Sequence, residues 1–243
     1  METSNTIKEL TERRSVRVYE DRAITTEQKE AIIQAAMEAP TAGNQQLYTI
    51  LDITDGKLKD MLAETCDHQP FIAKAQMALI FCADCQKWYD AFEAGGCSPR
   101  RPRTGDLMLA VTDAAIAAQN AVTAAWSLGI GSCYIGDIME RFETHRELLR
   151  LPDYVFPAVM VVFGYPTRQQ MERKKPDRCQ QKHIVHENGY RRMDRKELRQ
   201  MLAKECESRD FDSWIQAFCE RKYNSDFSRE MSRSVEEYLK AFR

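Results

Sequence analysis

The chain has 243 residues with 35 basic and 37 acidic side chains, a formal charge of -2. Nothing in those totals favours a nucleic acid or an anionic membrane as partner, so any anion site has to be built locally. The length suits one large domain or a domain with an appendage. "METSNTIKEL" lacks the basic start and apolar run of a signal peptide, which predicts a cytoplasmic protein, and eight cysteines in a chain of this size do not make a disulfide scaffold.

Ile7 and Leu10 stand at helical spacing in "NTIKELTERR", predicting a short first helix that ends at a cluster of arginines. There Arg13, Arg14 and Arg17 surround Ser15, as a solvated helix end or as an anion site. Thr25 and Gln28 form a capping-box pattern, and Pro40 stops the helix they open. "APTAGNQQ" is then a turn of small residues, which also lets backbone approach a flat ligand closely. "LYTILDI" reads as a strand, followed by a helix from Lys57 to Thr65 and by "DHQPF", where Gln69 offers an amide ahead of a proline-started helix.

"AQMALIFCA" and the proline-bracketed "FPAVMVVFGYP" are buried-strand candidates. Between them the longest helical pattern runs from Asp106 to Ser127. Thr112, Asp113, Gln119, Asn120 and Thr123 give it a polar stripe, which assigns it to a core or a subunit interface and not to a membrane. In "GIGSCYIGD" glycines flank a short strand, leaving backbone amides at Ile135, Gly136 and Asp137 open to a ligand. "RKKPDR", residues 173–178, is a basic loop after the last strand.

Strands alternating with helices predict an α/β or α+β sandwich. After "VHENGYRRMD" the composition shifts to charged amphipathic helices with apolar teeth such as Leu198, Trp214, Phe218 and Tyr238. The expected division is therefore a body over 1–190 and a helical extension over 191–243 that packs on the body or on a second subunit. Cys82 and Cys85 in "CADC" suit buried filler, and also thiol-redox or zinc chemistry, though no second pair exists to complete a zinc site. The arginines of "EAGGCSPRRPRTGD" either keep a surface loop solvated or attract an acidic substrate.

Taken together, these segments resemble the nitroreductase and flavin reductase family, FMN-dependent enzymes that reduce nitroaromatics, quinones or free flavins with NADH or NADPH. "RRSVR" is similar to its phosphate motif, "APTAGNQQ" to the loop along the isoalloxazine ring, "YIGD" to the segment near the ring's reactive edge, and "KKPDR" to the late basic residues of the phosphate clamp. "FGYP" and "IVHENGY" resemble the larger, often NADPH-preferring and oxygen-insensitive branch.

The resemblance implies an α+β sandwich around a mostly antiparallel sheet, flanked by helices, and a homodimer with FMN at the interface. It implies cofactor contacts from Arg13, Arg14, Ser15, Arg17, Pro40, Thr41, Ala42, Gly43, Asn44, Gln69, Tyr134, Ile135, Gly136, Lys175 and Arg178. Asp177 inside the basic loop leaves open whether Lys175, Arg178 or both reach the phosphate, and Arg209 is a candidate for the NADPH 2'-phosphate. Hydride would pass through flavin N5 to a small-molecule acceptor by a ping-pong route, so no catalytic side chain and no metal is expected. A flavin-binding carrier or sensor of the same fold would use the same residues.

Overall fold

The computed structural model describes residues 4–207 and 209–243. Contacts divide them into two units, one running to Glu172 and resuming at Glu230–Arg243, the other Arg173–Arg229. The first unit holds α1 (Asn5–Glu12), α2 (Thr26–Met37), β1 (Tyr48–Asp52), α3 (Gly56–Thr65), α4 (Pro70–Ala73), β2 (Met77–Asp84), α5 (Gln86–Ala94), α6 (Thr104–Ser127), β3 (Gly131–Ile135), α7 (Phe142–Leu149), β4 (Val155–Gly164) and α8 (Arg168–Glu172). The second holds α9 (Arg195–Cys206) and α10 (Phe211–Lys222), and α11 (Asp226–Leu239) starts there and ends in the first.

The sheet is four-stranded and antiparallel throughout, in the order β1-β2-β4-β3. Its two central strands are nearly continuous apolar runs because helices cover both faces, and side chains alternate between those faces along each strand. Leu79, Phe81, Val161 and Phe163 point into a cluster with Ile32, Ala36 and the alanines of α6. Ala78, Ile80, Met160 and Val162 point the other way, into a cluster with Leu62, Ile72, Tyr238 and Phe242. At Pro157, which has no N–H to donate, the β2–β4 register slips between Phe81 and Cys82.

Local chemistry explains the element ends. The Thr25 hydroxyl accepts from the Gln28 amide while the Gln28 side chain accepts from the Thr25 amide, closing the predicted box on α2. In α6, Ala110, Ala114, Ala117, Ala118 and Ala121 are fully buried. Small side chains at those positions let the helix axis come close to the sheet and to α2.

The C-terminal helix returns to the first unit. Tyr238 sits edge-on to Phe142 and Phe156 at centroid distances of 4.6 and 5.1 Å, and the Ser234 hydroxyl donates to the Met139 carbonyl at 2.7 Å. Arg233 also forms a two-pronged ion pair with Glu143, both contacts at 2.9 Å. In the second unit α9 and α10 are each capped by an aspartate, Asp194 and Asp210, and Arg199 pairs with Asp212 at 2.6 Å.

Candidate functional site

The arginine cluster leaves α1 as an extended segment lying against β3. Ser15 bridges Ser132 in parallel, and the Val16 amide donates to the Ser132 carbonyl at 3.0 Å. Val16 is fully buried, and a side chain on Gly131 would overlap it, with a Cβ only 2.5 Å from Val16 Cγ2. On the other side the Arg17 amide donates to Gln170 Oε1 at 3.2 Å and Arg14 Nη1 donates to the Met171 carbonyl at 2.5 Å. The segment is thus pinned between β3 and α8 with its side chains on a defined face.

Arg13, Ser15 and Arg17 gather around Cys133. Burial raises that thiol's pKa, while the charge of Arg17, hydrogen bonds from Arg17 and Ser15, and the charge of Arg13 oppose the rise. Arg13 Nη1 is buried without a hydrogen-bond partner among the described residues. A desolvated guanidinium nitrogen left unpaired is costly, and an anion at that position removes the cost. The donor set of two or three guanidiniums and one hydroxyl fits a phosphate.

Two further predicted segments join this cluster. Arg17 lies 5.8 Å from the centre of the Phe71 ring on α4, next to Gln69. Gln69 follows two left-handed residues, Asp67 and His68, and its Nε2 donates to the Cys66 carbonyl at 2.8 Å, so part of its amide serves the turn itself. Tyr134 and Ile135 end β3, the Tyr134 hydroxyl donating to Gln119 Oε1 at 3.2 Å. Gly136 opens a 3-10 turn that runs to Met139. The neighbourhood of Gly136 is open, since a Cβ there would meet only Met139 Cε at 3.9 Å.

Pro40, Thr41, Ala42, Gly43 and Asn44 belong to a separate loop fixed on α6. Gly43 and Asn44 take left-handed φ values of 57° and 56°, and Gln46 one of 50°. Asp113, one of the residues of the expected polar stripe, is 2% exposed and accepts from the Ala42 amide at 3.0 Å and the Leu47 amide at 3.1 Å. Periodicity alone groups Asp113 with Thr112 and Thr123. Only its partners, 71 and 66 residues away, reveal what its carboxylate holds.

Beside this loop a cavity of about 400 Å³ is lined by Gln45, Leu47, Trp88 and Phe92 with residues of the 97–102 loop. Trp88 Nε1 donates to the Gln45 carbonyl at 2.6 Å, tying α5 to the loop. Arg100 makes two hydrogen bonds to Asp106, at 2.6 and 2.9 Å, so its charge is already matched at the start of α6.

Lys175 and Arg178 lie in the second unit, in a cleft of about 470 Å³ with Lys174, Lys204, Arg209 and Arg221 over Trp214 and Phe218. Asp177 pairs with Lys204 at 3.7 Å. Arg209 donates to the Glu205 and Cys206 carbonyls at 2.6 and 3.0 Å, capping the end of α9.

Cys82 and Cys85 are buried, and burial pushes both thiols up to about 12. Burial thus disfavours the thiolate that nucleophilic chemistry would need.

Residues 10–165 match the family described as Nitroreductase. The chain belongs to the nitroreductase family. Among its relatives, it is 33% identical over 189 residues to "FMN reductase (NADPH)" of Bacillus subtilis, covering 77% of this chain and 75% of that protein. It is 36% identical over 199 residues to "Oxygen-insensitive NADPH nitroreductase" of Salmonella typhimurium, covering 80% and 78%. Among solved structures, NfrA1 nitroreductase of B. subtilis superposes with a TM-score of 0.82 at 27% identity, covering 97% of this chain and 98% of that one. An NADPH:FMN oxidoreductase of Vibrio harveyi complexed with NAD+ gives 0.78 at 26%, covering 98% and 97%.

In this nitroreductase the turn after Gly136 ends at Glu140, which is 5% exposed and has one carboxylate oxygen without a partner among the described residues. Burial, then the charges of Asp137, Asp67 and Glu230, push its pKa up from 4.5 to about 7, with Arg141 opposing. The folded state therefore favours the neutral acid. That stabilisation is complete below the unfolded value of 4.5 and is lost as the pH rises through about 7. Glu140→Gln keeps a neutral side chain at every pH, so its melting temperature relative to the wild type is expected to climb between about pH 5 and about pH 8. Parallel profiles for the two proteins would refute the assignment.

Proposed function

We propose that this chain is a homodimeric flavin oxidoreductase that passes a hydride from NADPH or NADH through FMN to a nitroaromatic, quinone or flavin acceptor in two successive half-reactions. Family membership carries the coarser part: the protein is an NAD(P)H-dependent nitroreductase and flavin reductase with FMN as cofactor. The observation that most supports the finer reading is the buried Arg13 Nη1, unpartnered among the described residues, beside Ser15 and Arg17.

Bound FMN supplies the two-electron chemistry at its N5 position. Arg13, Arg14, Ser15 and Arg17 hold the phosphate by charge-assisted hydrogen bonds. The Gly136 amide, at an open position, is the donor to the ring's reactive edge, with Tyr134 and Ile135 fixing its height at the end of β3. Gln69 contributes its amide to a polar edge of the ring. Pro40, Thr41, Ala42, Gly43 and Asn44 present backbone to the ring, which small side chains and left-handed turns permit. Within the second unit, Lys175 and Arg178 line a basic cleft whose charge suits an anionic group such as a phosphate.

The dimer is supported by apolar side chains left on the surface of the first unit. Met108 and Leu109 on α6 are 59% and 51% exposed, and Ile7 and Leu10 on α1 are 53% and 48% exposed. Burying such side chains contributes about 1.5–3 kcal/mol each. Sedimentation at micromolar concentration is expected to give a dimer, and a monomer there would sink this part of the proposal.

The activity is tested by purifying the protein, recording its visible spectrum, and following NADPH and NADH oxidation with a quinone and with a nitroaromatic. A yellow protein that turns over supports the proposal. A yellow protein that oxidises neither nucleotide would instead be a flavin carrier or sensor, and a colourless one that fails to retain added FMN would overturn the flavin site.

A further inference from the structure

The loop from Thr41 to Gln46 has three residues at left-handed φ, two of them not glycine. A chain does not hold such a shape unaided, because a side chain on Cα disfavours it. Beside the Trp88 bond to the Gln45 carbonyl and the loop's own backbone bonds, two ties from α6 fix its ends. One oxygen of Asp113 accepts from the Ala42 amide at 3.0 Å, and the other accepts from the Leu47 amide at 3.1 Å. The carboxylate thus closes both ends of the loop at once, and a third bond, from the Gln46 amide to Thr41 Oγ1 at 3.3 Å, closes it internally.

The platform is rigid. Asp113 is followed on α6 by Ala114, Ala117 and Ala118, all fully buried against the sheet. Two outward-facing acceptors on one short side chain are what this geometry needs, and aspartate alone among the short side chains supplies them. Asparagine has the same shape but would turn an NH2 towards one of the two amides, setting donor against donor.

We infer that Asp113 is a positioning residue for the flavin: it sets the loop's backbone in its ligand-ready shape before the ring arrives, and so sets FMN affinity without touching FMN. This rests on the reading of Pro40–Asn44 as the ring-facing loop. Preorganisation of this kind removes the cost of ordering the loop on binding, so its loss appears in affinity before it appears in the fold.

The test uses the full-length protein stripped of FMN. Asp113→Asn is expected to weaken FMN about tenfold in a fluorescence titration, the effect of one lost charge-assisted hydrogen bond. Amide exchange at Ala42 and Leu47 should accelerate, while the α6 amides from Ala114 to Ala121 keep their protection. In the wild type, FMN should slow exchange across the loop. Should Asp113→Asn fail to fold, Thr41→Val loosens the same loop from outside the core and is expected to weaken FMN about threefold.

Faster exchange in the loop with unchanged FMN affinity would overturn the inference. So would wild-type protein that binds FMN without any added protection of the loop. Wild-type protein that binds no FMN at all would overturn the flavin reading on which the inference rests.

Discussion

Replacing Arg13 or Arg14 by alanine is expected to weaken FMN binding by about ten- to a hundredfold each, and the double variant is expected to purify colourless. The magnitude follows from about 1.5–3 kcal/mol for a charge-assisted hydrogen bond to a phosphate in a site that excludes solvent. The two residues should not behave alike. Arg13 has a buried nitrogen without a partner among the described residues, so its loss removes ligand contacts and relieves an unsatisfied donor; the variant should be at least as thermostable as the wild type without FMN. Arg14 also ties its segment to the Met171 carbonyl, so Arg14→Ala should lose stability as well as flavin. Equilibrium titration of the apoprotein, with melting measured in parallel, separates the two effects. Wild-type affinity in both single variants would remove the arginine cluster from the cofactor site.

Gly131→Ala should be the most damaging single methyl that can be added to the candidate site. The new Cβ would lie 2.5 Å from Val16 Cγ2 and 2.8 Å from Val16 Cβ, and Val16 is a fully buried β-branched side chain with its amide bonded to β3. Neither side can give way without moving the Arg13–Arg17 segment off the strand. Overpacking of this kind costs about 1–3 kcal/mol, which for a protein of this size lowers the melting temperature by about 2–4 °C per kcal/mol.

FMN affinity should fall with stability in Gly131→Ala, because the segment that moves is the one proposed to hold the phosphate. Gly136→Ala is the control, since its Cβ meets nothing closer than Met139 Cε at 3.9 Å; it should melt within about a degree of wild type. If Gly131→Ala melts like the control, the contact between Val16 and β3 is softer than these distances require.

Several elements are legible in the amino-acid sequence because their causes lie within a few residues. The capping box at Thr25 and Gln28, the proline after α2 and the glycines around β3 are local chemistry, and the observed α2, β1, β2, β4 and α6 follow them. Of the helices that stay hidden, two do so for equally local reasons. α5 has no side-chain cap at Cys85, and α7 begins after Arg141 in a left-handed conformation, so neither advertises its start.

The candidate site is legible as a set of residue types and not as an arrangement. Arginines flanking a serine, a small-residue turn and a glycine after a short strand are each visible in one window, since phosphate binding and close backbone approach demand those types wherever they occur. What joins them is not visible there. The pairing of Ser15 with Ser132, the fit of Val16 over Gly131, the hold of Asp113 on Ala42 and Leu47, and the return of the C-terminal helix to Phe142 and Phe156 all link residues far apart in the chain.

The sequence by itself therefore determined which of the strongly patterned segments are helix or strand, roughly where they start and stop, and where residue types suited to an anion cluster in the chain. Tertiary structure alone decided which of those residues meet and which acids are buried. The reason is physical: propensity, capping and periodicity act over a turn or two of chain, whereas packing and long-range hydrogen bonds depend on topology that no short window contains.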